Sequence, residues 1–274
     1  MDFTTIGGLA AALAIIVGAM IMDGGNPAEL FVHPSAIMLT MFGAIAASIV
    51  TSPMKLIIAL PKILVKAFVS DKFDVEESID VLVRMADKAR RDGLLALEEE
   101  SKNIVDPFLK KGVMMVVDGI DPNQVRAILD TQIEHTHSRH RAGAGFFAAA
   151  GGFSPTFGII GTVMGLIGVL KELDNPSKLA KSIAAAFLAT LWGLLTANLI
   201  WMPISAKLAL RSKEEAAYRK MLMEGVLSLQ AGENPRIIKE KLSAFLPPSE
   251  RKAVSGKGGA GAPAGARQES RGQA

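Results

Sequence analysis

The residues best placed to do chemistry are two threonines in stretches that carry no charge. Thr162 lies in a 29-residue window, Ala142–Leu170, that has no Asp, Glu, Lys or Arg. Beside it run Gly158, Gly161, Gly165 and Gly168, at steps of three, four and three, which puts all four glycines on one helix face. Thr190 lies in a second uncharged window, Ser182–Ala206, among Ala186, Ala189, Gly193 and Ala197 at helical spacing. Stripes of small residues let another helix approach closely. Hydroxyls set among them can assist an ion or a chain of waters. The plainer reading is that each hydroxyl bonds to its own helix backbone. Pro155 sits one turn above the glycine stripe and frees a carbonyl that needs another partner.

These hydroxyls cannot relay protons by themselves, because relays in membranes use ionisable groups. Neither window supplies one, nor do two further uncharged windows, Phe3–Met22 and Pro34–Ser52. If the chain moves ions, a partner subunit must bring the carboxylate.

Other constellations are weaker. Of His135, His137 and His140 (HTHSRH), His137 and His140 share a helix face with no acidic residue on it, so a polar collar beside the membrane is favoured over a metal site, and no metal is expected. The chain has no cysteine, which excludes disulfides and thiolate chemistry. There is no Ser-His-Asp arrangement, phosphate loop or HExxH, and the glycines follow no strand, so enzyme function is disfavoured. Arg84, Lys88, Arg90, Arg91, Asp92, Glu98, Glu99 and Glu100 form a dense charge set, by spacing alone a solvated helix face. Net charge is +3, and the basic residues flank uncharged windows and mix with acids, which argues against nucleic-acid binding.

The elements that must position these residues follow from length and charge. Half of the residues are hydrophobic, and each of the four windows is near or above the ~18 residues that mark a spanning helix. Met1-Asp2 carries no Lys or Arg and Met20-Ile21-Met22 is a poor cleavage site, so the first window reads as a retained helix, not a signal peptide. Of 30 Lys and Arg, 27 fall in Pro53–Arg141 or from Lys207 onward, three in Lys171–Lys181 and none in Asp23–His33. The basic side is cytoplasmic, so both termini are inside. Lys55, Lys62 and Lys66 follow the second span, where they can meet lipid phosphates.

The expected fold is therefore all-α, a polytopic membrane protein with four transmembrane helices and a helical cytoplasmic domain. Its parts are a transmembrane hairpin (1–52), a cytoplasmic helical domain (53–141), a second hairpin (142–206), a helical tail (207–248) and a low-complexity disordered end (249–274). Within the cytoplasmic part, Asp74 caps an amphipathic helix to Arg91, Gly93 interrupts it, and Asp106-Pro107 and Asp121-Pro122 each open a helix. The last of these runs unbroken into the third span, the fourth span continues to Leu229, and a short helix follows over Arg236–Phe245.

Several motifs resemble one known family. They are Ser154-Pro155-Thr156-Phe157-Gly158 with Gly161-Thr162-Val163-Met164-Gly165-Leu166-Ile167, then Ala189-Thr190-Leu191-Trp192-Gly193, Trp201-Met202-Pro203, and Arg90 through Glu98. Over residues 1 to about 248 the chain resembles the A subunits of bacterial flagellar motor stators, the MotA/PomA family within the MotA/TolQ/ExbB superfamily. The resemblance implies a pentameric ring of A subunits around a MotB-like B-subunit dimer in the inner membrane. Each B helix supplies the ion-carrying aspartate. It further implies an ion pathway at Thr162, Thr190 and Ala189, hinges at Pro155 and Pro203, and contact with the rotor protein FliG through Arg90 and Glu98. Gly158, Gly161, Gly165, Gly168, Ala186 and Gly193 are expected to pack on the B helices. No cofactor is implied. Sodium-type relatives pair two threonines where this chain has Ala189-Thr190, so protons are favoured over sodium as the transported ion. The alternative is an ion-driven ExbB/TolQ-like energiser of an envelope complex; that group has three spans, and the first hairpin here argues against it.

Overall fold

The computed structural model describes residues 3–69, 73–171, 173–248 and 251. The low-complexity end expected to be disordered lies outside the described residues, apart from Arg251. Every regular element among the described residues is helical. In chain order they are α1 (Phe3–Met22), a 3-10 turn (Pro27–Phe31), α2 (Pro34–Val50), α3 (Met54–Phe68), α4 (Val75–Asp92), a 3-10 turn (Leu94–Ala96), α5 (Leu97–Ser101), α6 (Pro107–Val117), α7 (Pro122–Lys171), α8 (Pro176–Gln230) and α9 (Pro235–Ser243).

Three of these, α1, α7 and α8, are long and apolar enough to cross a membrane, and α2 is a shorter apolar helix. The chain folds as two units. One holds residues 1–72 and 134–215, the other 73–133 and 216–274.

In the first unit the centre of packing is Phe146, Phe147 and Ala150 of α7 against Trp201, Ile204 and Leu208 of α8. Helix α3 lays Leu56, Leu60, Ile63 and the fully buried Ala67 on that cluster. Sequence reasoning missed α3 as a helix, because Pro61 interrupts an almost uniformly apolar run whose helical period is marked only by three lysines. Arg211 fastens its far end by donating to the carbonyls of Lys66 and Val69, the groups that a helix C-terminus leaves unpaired. Helix α2 approaches α7 at Gly43, where an added Cβ would stand 2.6 Å from the Phe157 ring.

The second unit is a small helical domain around Ile79, Leu82, Val113, Val125, Leu129, Leu222, Val226, Ile238 and Leu242, all 0–1% exposed. Burying an aliphatic side chain of this size stabilises by about 1.5–3 kcal/mol. The caps form as their residue types require. Asp74 accepts from the Glu77 N–H, Asp106 from Phe108 and Leu109, and Asp121 from Asn123. Gly93 closes α4 with φ +84°, a conformation that costs any other residue a Cβ clash.

Candidate functional site

Helices α7 and α8 meet along the glycine stripe. An added Cβ at Gly161 would stand 2.5 Å from the Ala189 Cβ, and one at Gly165 would stand 2.7 Å from the Ala186 Cβ. One at Gly158 would meet the Ala189 carbonyl at 3.0 Å, and one at Gly168 the Ser182 hydroxyl at 3.5 Å. From the other side, a Cβ at Gly193 would meet the Ser154 carbonyl at 2.8 Å. The stripe is thus the seam between two helices of this chain. Gly158, Gly161, Gly165, Gly168, Ala186 and Gly193, which the resemblance places against the B helices, line this seam within the chain. Small residues predict a close helix approach, and here the chain's own α8 makes it.

Thr162 and Thr190 come together across this seam. The Thr162 hydroxyl lies 3.1 Å from the Gly158 carbonyl on its own helix and 3.2 Å from the Ala186 carbonyl opposite, and it makes a short hydrogen bond with the Thr190 hydroxyl. Each hydroxyl has one proton, so the pair has more acceptors than donors and can accept a further hydrogen bond or hold a cation. Both threonines are half-buried. Ala189 does not share that position. It is 3% exposed, with its methyl pressed on Gly161. Helical steps of 100° turn neighbouring residues to different sides, so adjacency to Thr190 did not carry Ala189 along. Beyond the seam the same helices expose Val163, Met164, Ile167, Phe187 and Leu194.

A second hydroxyl cluster lies one to two turns away along α7 and α8, and sequence reasoning missed it. Ser154 donates to the Thr40 carbonyl at 3.3 Å and shares a 2.6 Å hydrogen bond with Thr196, which also reaches the Trp192 carbonyl at 2.7 Å. Thr40, Ser154 and Thr196 are 0–1% exposed. Both flanking helices widen here into π turns, Met38–Phe42 in α2 and Thr196–Trp201 in α8. Single π turns inside α-helices recur at functional sites. The signal available was Ser154 directly before Pro155 and Thr196 seven residues before Pro203. Pro203 follows the π turn, in which the Met202 N–H bonds five residues back to Ala197. One turn before Thr196 on α8, the Trp192 indole donates to the Leu30 carbonyl at 2.8 Å and its ring meets Phe31 edge-on.

The histidines join α7 to the later part of α8. His137 shares a 2.9 Å hydrogen bond with the buried Ser212, and His140 lies 3.2 Å from the Glu215 carboxylate. His135 is exposed.

In the second unit Arg90 and Glu98 stand exposed on either side of the Gly93 turn. Their neighbours are paired. Lys88 meets Glu100 at 2.8 Å, and Arg91 meets Asp87 at 2.5 Å. The Lys88 hydrogen bond holds the Glu100 carboxyl below its ordinary range, and that same bond raises Lys88. Leu95, between the two charges, is 74% exposed.

Comparison with known proteins gives this arrangement its kin. The family model "Motility protein A N-terminal" matches residues 6–93, and that of the "MotA/TolQ/ExbB proton channel family" matches residues 100–221. Motility protein A of Bacillus subtilis (strain 168) is 38% identical over 252 residues, 92% of this chain and 93% of that protein. The chain belongs to the MotA/TolQ/ExbB family. Within the family, Chemotaxis protein PomA of Vibrio alginolyticus is 37% identical over 92% of this chain and 98% of its own length. Two solved members share the fold. The flagellar MotAB stator complex from Bacillus subtilis has a TM-score of 0.84 and 38% identity, covering 91% of this chain and 98% of that one. The C. jejuni MotAB structure has a TM-score of 0.86 and 33% identity, covering 90% and 97%.

Proposed function

We propose that this chain is the A subunit of a flagellar motor stator, which forms an ion channel with a MotB-like B subunit and turns ion flow into torque. The observation that carries the reading is the pairing of likeness to MotAB stator structures over 90–91% of the chain with uncharged windows that hold no ionisable side chain. A channel of this build needs a carboxylate from a second chain.

In this reading α2 is the second of four spans. Its 17 residues, Pro34–Val50, extend about 25 Å, close to the hydrocarbon thickness. The chain sits in the bacterial inner membrane with both termini cytoplasmic, on the lysine and arginine distribution. A pentameric ring of A subunits surrounds the B dimer. The ion reaches the partner's aspartate beside the Thr162–Thr190 pair, whose spare lone pairs solvate it. The favoured ion is the proton, on the resemblance: Ala189 stands where sodium-type relatives carry a second threonine, and it supplies no side-chain oxygen. One charge crossing 100 mV releases about 2.3 kcal/mol. That energy drives the helices between two packings, with Pro155 and Pro203 as the points that lack a helical N–H and bend most cheaply. The exposed Arg90 and Glu98 engage the rotor protein FliG. The match of residues 6–93 to the Motility protein A N-terminal model favours this over an ExbB/TolQ-like energiser.

The test is proton flux into vesicles. Vesicles holding this chain with its B subunit should conduct. Vesicles holding this chain alone, or with the B aspartate changed to asparagine, should not. Conduction by this chain alone would remove the need for a partner carboxylate and refute the reading.

A further inference from the structure

Helix α3 has three distinct lines of side chains. Leu56, Leu60, Ile63 and Ala67, at steps of four, three and four, face the protein and pack on the cluster around Phe147 and Trp201. Met54, Ile58 and Val65 form a line on the opposite side, 69%, 73% and 58% exposed. Between the two runs a third line, Lys55, Lys62 and Lys66, at steps of seven and four. With 100° per residue these lysines fall within a sector of about 40°. They are the only charged residues of the helix, and all three are exposed. The rest of its circumference is apolar.

Such a helix is stable in water on no face but the lysine one. At a membrane interface the exposed line of Met54, Ile58 and Val65 enters the acyl boundary, and the lysines reach sideways to the level of the phosphates. Its position favours that seat. Helix α3 starts four residues after α2 ends, and the Arg211 contacts to the Lys66 and Val69 carbonyls fix its far end. The lysine line spans about 16 Å along the axis, longer than one phosphate.

We infer that the Lys55–Lys62–Lys66 line is a binding site for anionic phospholipid headgroups, selecting them over zwitterionic ones. The inference rests on the membrane seat of the proposed function and adds to it a preference among lipids. A lysine beside an anionic surface raises affinity roughly fivefold, and the effect is screened by salt.

The experiment uses the complex of this chain with its B subunit in nanodiscs of phosphatidylcholine with a minority of phosphatidylglycerol. Lipid retained on the complex after mild detergent extraction is measured by mass spectrometry. Phosphatidylglycerol should be enriched over its bulk share. The double variant Lys55→Gln/Lys62→Gln should lower that enrichment at least about tenfold, and Lys55→Arg/Lys62→Arg should keep it. Copurification of the B subunit shows that each variant is folded. Absence of enrichment in the natural protein, or equal enrichment in the glutamine variant, overturns the inference. A second arm isolates the membrane seat. The chain has no cysteine, so Ile58→Cys carries a single nitroxide when paired with a cysteine-free B subunit. Oxygen collisions exceeding those of a water-soluble nickel chelate support the seat. The reverse order removes the seat itself, whatever the lipid count shows.

Discussion

Thr162 and Thr190 hydrogen-bond hydroxyl to hydroxyl across the seam between α7 and α8. The contact is possible because Gly158 and Gly161 let the Ala189 and Thr190 backbone come within van der Waals reach. Chemistry and packing are therefore coupled here: the glycines set the distance at which the two oxygens meet.

Removing one hydroxyl separates these roles. In Thr190→Val, Thr162 keeps the Gly158 and Ala186 carbonyls in reach, so the loss of stability should be small, about 1 kcal/mol. Ion flux should fall severalfold, and Thr190→Ser should restore most of it. Unchanged flux in Thr190→Val would make the pair a packing feature only.

Glycine substitutions should sort by what an added carbon meets. Gly161→Ala places its Cβ 2.5 Å from that of Ala189 and should cost about 1–3 kcal/mol. Gly165→Leu should prevent accumulation of the folded chain, because Ala186 backbone atoms stand 3.0–3.2 Å from the new Cβ. Gly152→Ala meets nothing within 4 Å and should stay within about 0.5 kcal/mol. Thermal denaturation of the purified complexes reads the order directly. A Gly161→Ala protein as stable as Gly152→Ala would mean the seam is looser than described.

The charged face should act through several weak contacts. Arg90→Glu or Glu98→Lys alone removes an exposed charge worth about 0–1 kcal/mol and should slow swimming without stopping it. The double reversal should stop it while membrane assembly continues. Normal swimming of the double variant with an unmodified rotor would dismiss this face as the rotor contact.

Tyr218 offers a titration with one reporter, being the only tyrosine in the chain. Burial raises its phenol above the usual value of 10, and the 2.8 Å hydrogen bond with Ser78 works in the opposite direction. The folded state thus holds this proton to higher pH than the unfolded state does. Its contribution to stability is intact below pH 10 and is lost as pH rises through the folded value. Phenolate absorbance of the isolated chain should show a midpoint above 10, which Ser78→Ala moves higher still. A midpoint at or below 10 in the folded chain would show Tyr218 to be solvated.

Much of this was legible in the residues. Asp74, Asp106 and Asp121 announced three helix starts, because a carboxylate before a helix has a definite task, bonding the first free N–H groups. Asp121-Pro122 with no breaker before the third uncharged window announced one helix running into the third span. The glycine stripe was legible as a close approach but not as to its occupant, since small residues do not say which chain comes near. That Ala189 turns its methyl to Gly161 while Thr190 turns its hydroxyl to Thr162 was not legible, because neighbours along a helix face different sides. The Thr40–Ser154–Thr196 cluster and its π turns were not legible, because a π turn arises from tertiary fit and leaves no local spacing to read. Helix α3 was hidden because it is apolar on two faces, with only a narrow line of lysines to mark its period.

The central claim is that ion flow through this chain and its B subunit turns a rotor. The most direct measurement is the rotation of single tethered cells that lack their own stators and express the two subunits together. The account predicts that rotation appears, scales with the proton gradient, persists when sodium is withdrawn, and ends when the B aspartate is replaced. Cells that assemble the complex in the membrane yet never rotate under a full proton gradient, with or without sodium, would contradict it.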